Sequence, residues 1–224
     1  MAKSASQIRD EFDRIALASA PAGEGAHPYD RHLISLIPPN CRRLLDLGCG
    51  TGRLTRAMAQ HAEAVTAVDV SVEMLRVARA HCAGQGNIAF VQADLLNLPA
   101  TLGLFDCVIT VNVLHHFQAA DAVQAMKAVL APGGVLIVHD VRRSDGAVDR
   151  LLDAPRLAMK AAWRLARVSR VRAFLRQRAA WAEHARDEII LSADEVAGMR
   201  DRVLPGAEIC QHFLWRYTLQ WTDR

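Results

Sequence analysis

The chain has 224 residues, 51% of them hydrophobic and 23% charged, which excludes a disordered or fibrous protein and leaves enough length to bury a substantial core. The formal net charge of +3 and an aromatic content of 5% argue against a dedicated nucleic-acid binder, so no specific nucleic-acid partner is expected. Basic charge is concentrated in one stretch, Arg142 to Arg178, which carries eleven Arg or Lys against three Asp.

In chain order, MAKSASQIRDEF lacks the apolar run of an export signal, and Ile8, Phe12 and Ile15 recur at helical spacing, which predicts an amphipathic helix over 5–17. A loop rich in Ala, Gly and Pro follows at 18–27. Pro28 opens a second helix with Leu33, Ile34 and Ile37 on one face, and Pro38 and Pro39 stop it. Residues 43–47 predict a strand, GCGTG a turn and 53–62 a helix; 64–69 predict a second strand, and Ser71 caps a helix through about 82. Further strands are expected at 88–92, 105–111 and 135–141, with a helix over 119–130 between the last two. A basic helical tract occupies 147–185, and Ser192 with Glu195 gives a capping-box signal for a helix through 203. Residues 209–221 alternate through Ile209, Phe213, Trp215, Tyr217, Leu219 and Trp221, which predicts terminal strands with no Gly, Pro or Asn to mark a turn between them. Strands separated by helices, with little alternation inside them, indicate an α/β protein with a parallel sheet covered on both faces. The cysteines at 41, 49, 82, 107 and 210 form no C-x-x-C pair and no zinc-type cluster, so they read as reduced thiols of a cytoplasmic protein, with no metal expected.

The strongest local signal is Leu44-Leu45-Asp46-Leu47-Gly48-Cys49-Gly50-Thr51-Gly52, a glycine-rich turn between a strand and a helix. Such a turn brings backbone close to a ligand, or simply packs closely, and its spacing is neither the G-x-G-x-x-G of a nicotinamide or flavin site nor a phosphate-gripping Walker loop. Asp69 ends the second strand, where a carboxylate can accept from a ribose diol. Asp94 follows the third strand and Asn112 the fourth. All fall on one edge of an open sheet, outside the carboxyl ends of the strands, where such sheets bind ligands.

Taken in order, LLDLGCGTGRLT, AVDVSVEML, VQADLLNLP, FDCVITVNVLHHF and LAPGGVLIV resemble the successive motifs of class I S-adenosylmethionine-dependent methyltransferases, in the small-molecule group of ubiquinone and menaquinone methylases. The likeness covers about 40–141 and implies a three-layer, Rossmann-like sandwich whose seven-stranded sheet is mostly parallel, with an antiparallel terminal strand and a helical insertion after the fifth strand. It implies one domain over 1–224: a helical cover at 1–39, a cofactor-binding core at 40–141, the insertion at 144–188, and a terminal helix and strands at 189–224. It also implies S-adenosyl-L-methionine as methyl donor, S-adenosyl-L-homocysteine as product and a small-molecule acceptor. Asp46, Gly48, Gly50 and Gly52 match the loop holding the methionine part of the donor; Asp69 matches the ribose ligand, and Val70 and Met74 match adenine-pocket positions. Asp94 and Leu95 match the adenine-recognition pair, Asn112 the mouth of the methyl-donor site, and Tyr29 a contact from the N-terminal cover.

Methyl transfer needs in-line approach, water exclusion and removal of the acceptor's proton. His116 and His139 are candidate bases beside the catalytic edge, together with the neighbouring His115 and Asp140, and His184 is a further candidate on a helical face with Trp181 and Glu188. The insertion is expected to cover the acceptor, and the charge of 142–178 suits an acidic partner or an anionic membrane surface, which would make the protein peripherally membrane-associated. A noncatalytic S-adenosylmethionine-binding or partner-binding module remains the alternative to a methyltransferase, and the absence of an Asn/Asp-Pro-Pro-aromatic pattern after the fourth strand argues against methylation of nucleic-acid bases.

Overall fold

The apolar runs read from the sequence assemble into a seven-stranded sheet in the computed structural model, which describes residues 4–18, 28–144, 189–213 and 215–223. Its strands are β1 (Cys41–Leu47), β2 (Ala62–Asp69), β3 (Ile88–Gln92), β4 (Phe105–Val111), β5 (Leu130–Val141), β6 (Glu208–His212) and β7 (Arg216–Thr222). They lie in the order β3-β2-β1-β4-β5-β7-β6, with β7 antiparallel to both of its neighbours and every other pairing parallel. The chain order reverses direction between β1 and β4, so the carboxyl ends of these two strands open a crevice at the switch point.

Period-two alternation sends adjacent residues of each central strand to opposite layers. Leu45, Val108 and Leu136 join one apolar cluster, whereas Leu44, Ile109 and Ile137 join another on the other face. The described helices are α1 (Ala5–Ala18), α2 (Asp30–Ser35), α3 (Arg53–Met58), α4 (Val72–His81), α5 (Ala119–Ala128) and α6 (Ala193–Val203). Residues from α1, α5 and α6 close the first cluster through Ile8, Met126 and Val196, and α2 and α3 close the second through Leu33 and Met58. Central strands buried from both sides explain the lack of alternation in their sequences.

The expected helix boundaries hold at their caps. Ser71 accepts from Met74 N at 2.9 Å, and Ser192 and Glu195 form the reciprocal pair, at 3.0 and 2.7 Å, that starts α6. Several boundaries differ from the sequence reading: β1 and β2 each start two residues early, at Cys41 and Ala62, α2 starts at Asp30 rather than Pro28, and α5 ends at Ala128 rather than 130. The helix expected over 53–62 stops at Met58, because β2 begins at Ala62 and Asn87 Nδ2 donates to the carbonyls of Ala59 and Ala62 across the intervening turn. β5 starts at Leu130, which pairs with Phe105 across a register shift, rather than at 135. The terminal strands turn at 213–215, where Trp215 takes φ 57° and its carbonyl accepts from Arg142 N at 2.7 Å.

The basic helical tract over 147–185, and with it His184, Trp181 and Glu188, lies outside the described residues. No described helix is long and apolar enough to cross a membrane. Because Ser192 satisfies a helix-start amide and is itself buried, Ser192→Ala should cost about 1 kcal/mol and lower the melting temperature by roughly 2–4 °C, read from thermal and denaturant unfolding of the variant against wild type.

Candidate active site

A cavity of about 250 Å³ sits at the carboxyl ends of β1, β2 and β4, under α1. β1 delivers Asp46 to its wall and the turn beyond it delivers Gly48, Cys49 and Gly50; β2 delivers Asp69 and Val70, α4 contributes Met74, and the segment after β3 contributes Asp94 and Leu95. Asn112 and His116 close the side beyond β4, and Ile8, Phe12 and Ile15 of α1 form the roof.

The glycines of the loop have different physical reasons. A Cβ on Gly48 would fall 2.2 Å from Val113 Cγ2, so only hydrogen fits against the segment after β4, and φ 73° adds backbone strain for any other residue. A Cβ on Gly50 would meet nothing within 4 Å, because this face of the loop opens into the cavity and exposes backbone to a ligand. Gly52 caps α3 and is packed against Ala78 and Cys82 outside the cavity lining.

Asp69 holds this loop. One carboxylate oxygen accepts from Gly50 N at 2.8 Å and the other from Ser71 N at 2.9 Å. Burial raises its pKa, and the hydrogen bonds from Ser71 and Gly50 pull it back down. Asp46 is also buried, accepts from Thr55 Oγ1 at 2.5 Å, and has its pKa raised from 3.8 to about 6 by burial, with the Thr55 hydrogen bond opposing the shift. The cavity wall therefore has two acidic groups that are costly to ionise without a cation nearby. Asp94 caps a short 3-10 turn, accepting from Leu96 N at 3.2 Å and Asn97 Nδ2 at 2.7 Å, while still facing the cavity.

The roof is tied down by Asp13 of α1. Its carboxylate accepts from Ser71 Oγ and, at 3.3 Å, from Glu73 N, so it lies over the amino end of α4 where the helix dipole favours a negative charge. Arg53 lines the cavity and pairs with Asp30 of α2, joining the second cover element to the loop helix.

Beyond Asn112 the surroundings become imidazole-rich. Asn112 takes φ 58°, donates its amide to the His139 carbonyl at 2.9 Å and accepts from Arg216 Nη1 through Oδ1. His116 lies edge-on to Phe12 with ring centroids 5.5 Å apart, and His115 Nδ1 lies 2.6 Å from Asp140 Oδ1 in a buried pair. His139 is fully buried on β5 and its Nδ1 lies 2.9 Å from Thr218 Oγ1. Tyr29, expected at the cofactor, instead lies outside the cavity lining: its ring packs 5.0 Å from His139 and 4.9 Å from His212, and its hydroxyl donates to the Phe213 carbonyl. Burial, followed by the nearby His32 and Arg216, lowers the His212 pKa.

Of the residues singled out from sequence, the structure gathers Asp46, Gly48, Gly50, Asp69, Val70, Met74, Asp94, Leu95, Asn112 and His116 on one cavity. Gly52, Tyr29 and His139 lie outside its lining. Sequence reasoning passed over Arg53 and Arg216 because their partners, Asp30 and Asn112, are distant in sequence; the roof residues, by contrast, were signalled by the helical spacing of Ile8, Phe12 and Ile15. The closed geometry at Gly48 and the open one at Gly50 separate experimentally. Gly48→Ala should destabilise the fold by about 2 kcal/mol or more through overlap and strain, whereas Gly50→Ala should cost about 1 kcal/mol and chiefly reduce ligand binding. Melting temperatures and calorimetric titration of the two variants check this contrast.

Residues 44–134 match a family described as a methyltransferase domain. The ubiquinone biosynthesis O-methyltransferase of Xylella fastidiosa (strain 9a5c) is 31% identical over 201 residues, covering 84% of this chain and 72% of that protein. The enzyme of the same name from Caulobacter sp. (strain K31) is 39% identical over 105 residues, or 46% of this chain and 42% of its own length. Among solved structures, the N-methyltransferase NodS from Bradyrhizobium japonicum WM9, in complex with S-adenosyl-L-homocysteine, superposes with a TM-score of 0.64 at 18% identity, over 96% of this chain and 97% of that one. The superposition on NodS shows a shared fold, while the extended match to the Xylella protein carries kinship: the chain belongs to the class I S-adenosylmethionine-dependent methyltransferase family.

Proposed function

We propose that the protein transfers the methyl group of S-adenosyl-L-methionine to a small organic acceptor, with a hydroxyl oxygen as the first nucleophile to test. The observation that carries this reading is the convergence of Gly50, Asp69, Asp94 and Asn112, from four separated segments, on one cavity at the switch point of the sheet. Its chemistry suits the donor: an exposed loop backbone at Gly50, carboxylates at Asp69 and Asp94 for hydroxyl and amino groups, and apolar Val70, Met74 and Leu95 for a purine face. The oxygen preference rests on the names of the Xylella and Caulobacter relatives.

When bound, the donor supplies a sulfonium-activated methyl group. The roof formed by Ile8, Phe12 and Ile15 would shield a bound donor from water, and Asn112 and His116 would border an acceptor approaching beyond β4. His116 is the best-placed described residue to take the acceptor proton, with His139 behind Asn112 as a second candidate. The charge of 142–178 supports an acidic acceptor, an acidic partner or an anionic membrane surface, and five free thiols suit a reducing, cytoplasmic setting.

Calorimetric titration should show binding of both S-adenosyl-L-methionine and S-adenosyl-L-homocysteine. Asp69→Ala should weaken each by roughly 2–3 kcal/mol through loss of charge-assisted hydrogen bonds. Both ligands carry an ammonium group, which favours ionised carboxylates. Asp46, with its pKa raised to about 6, must release a proton to meet that charge at lower pH, so affinity should rise with pH up to about 6 and then level off. Absence of binding to folded protein would overturn the reading. Labelled methyl transfer to a panel of phenols, amines and carboxylates then separates catalysis from mere binding. With the acceptor identified, His116→Ala should lower kcat/KM by roughly 100-fold or more if His116 is the base, with donor affinity retained. Unchanged turnover across neutral pH in His116→Ala, His139→Ala and the double variant would remove both histidines from proton transfer.

A further inference from the structure

Outside the cavity lining and beside His139, whose ring centroid is 5.4 Å from that of His212, three potential ligands from α2 and the edge strand β6 come together. Cys210 and His212 stand two residues apart on β6 and so point to the same face of the strand, and His32 comes from α2. Their ligating atoms all lie within 4.8 Å of one another. Cys210 Sγ is 3.9 Å from His212 Nδ1, against about 3.6 Å for a thiolate and an imidazole nitrogen on one tetrahedral zinc ion. The His32 ring lies edge-on to His212 at 5.0 Å, and its Nε2 is buried with no hydrogen-bond partner among the described residues.

The surroundings also orient the ligands. His212 Nε2 lies 2.7 Å from Thr218 Oγ1, which leaves Nδ1, the nitrogen nearer Cys210, as the ligating atom. A metal on Nδ1 puts the proton on Nε2, which then donates to the Thr218 hydroxyl, the outer-shell hydrogen bond that metal-bound histidines usually make. Thr218 in turn reaches His139 Nδ1 at 2.9 Å, so its own hydroxyl proton is directed there. The adjacent cationic group is Arg216, whose guanidinium is engaged by Asn112 Oδ1 and feels the charge of Asp140.

We infer that His32, Cys210 and His212 form a three-ligand site for a zinc-type divalent cation, with a fourth position open to an exogenous ligand, coupled through Thr218 to His139. One thiolate and two imidazoles select zinc over magnesium or calcium, which require oxygen ligands. Binding displaces the Cys210 thiol proton to solvent, and His32 closes on the other two ligands to reach bonding distance. No sequence motif announces the site, because Cys210-x-His212 is a fragment and the third ligand arrives from the other end of the chain.

The inference goes beyond the proposed methyl transfer and is tested without it. Full-length protein is stripped with chelator and titrated with Zn²⁺ against a competing indicator dye, and separately with Co²⁺ while following its absorption. One equivalent of Zn²⁺ should bind, and Co²⁺ should give a thiolate-to-metal charge-transfer band. Cys210→Ser, at an exposed position, should abolish that band and weaken Zn²⁺ binding by more than the roughly tenfold expected of Thr218→Val, which removes only the hydrogen bond behind His212. Cooperative thermal unfolding of each variant confirms that it is folded, independently of any donor ligand. Failure of wild type to bind Zn²⁺, absence of the thiolate band, or equal Zn²⁺ affinity in Cys210→Ser would each overturn the site.

Discussion

The candidate site depends on one buried carboxylate. Asp69 accepts from Gly50 N with one oxygen and from Ser71 N with the other, tying the turn after β1 to the start of α4. Ser71 extends the tie, since its hydroxyl accepts from Met74 N and donates to Asp13 of the roof helix. Loop, purine-side helix and cover are thus held by a single chain of hydrogen bonds. The same carboxylate is the proposed ribose partner, so it must offer further lone pairs to the ligand while keeping its backbone donors, which an ionised carboxylate with about four acceptor sites can do. Replacing Asp69 therefore alters both the shape of the apo loop and the contact with the ligand. The two effects separate only when stability and affinity are measured on the same variant.

What was legible in the sequence was what depends on neighbours in the sequence. Ser71 and Ser192 cap the expected helices because a cap needs only a hydroxyl and an amide three residues on. β3 and β4 occupy the expected residues because apolar runs in central strands need no particular partner. Departures arise where a distant group decides. Asn87 fixes the exit from α3, the pairing of Leu130 with Phe105 lengthens β5, and the Trp215 carbonyl accepts from Arg142 to complete a turn without Gly, Pro or Asn. Backbone at φ 57° is tolerated at Trp215 because both flanking strands are already paired and fix the path of the chain.

The candidate site divides along the same line. Donor-side residues follow strand ends in one repeating β-turn-α pattern, so each can be located from its motif and the topology converges them. On the acceptor side, Tyr29, His32, His139, His212 and Arg216 come from four elements or their flanks, with no shared spacing. Reading histidines singly directed attention to His139 but gave no reason to connect it with His212. That link exists only because β5 and β6 both border β7 and present His139 and His212 to the same Thr218 hydroxyl.

The two halves also differ in charge, and the difference bears on mechanism. Asp46, Asp69 and Asp94 concentrate acidic groups on the cavity wall, whereas Arg216 and several imidazoles lie beyond Asn112. Under the proposed methyl transfer, the first set would stabilise a cationic donor and the second a nucleophile gaining negative charge as it loses a proton. Methyl transfer between them cancels both charges, so in a water-poor cavity it is favoured by the low dielectric that makes the separated charges costly. Burial raises the pKa of both Asp46 and Asp69 in the same direction. Asn112 stands at the boundary between the two sets, with its side-chain oxygen on Arg216 and its backbone amide on the His139 carbonyl.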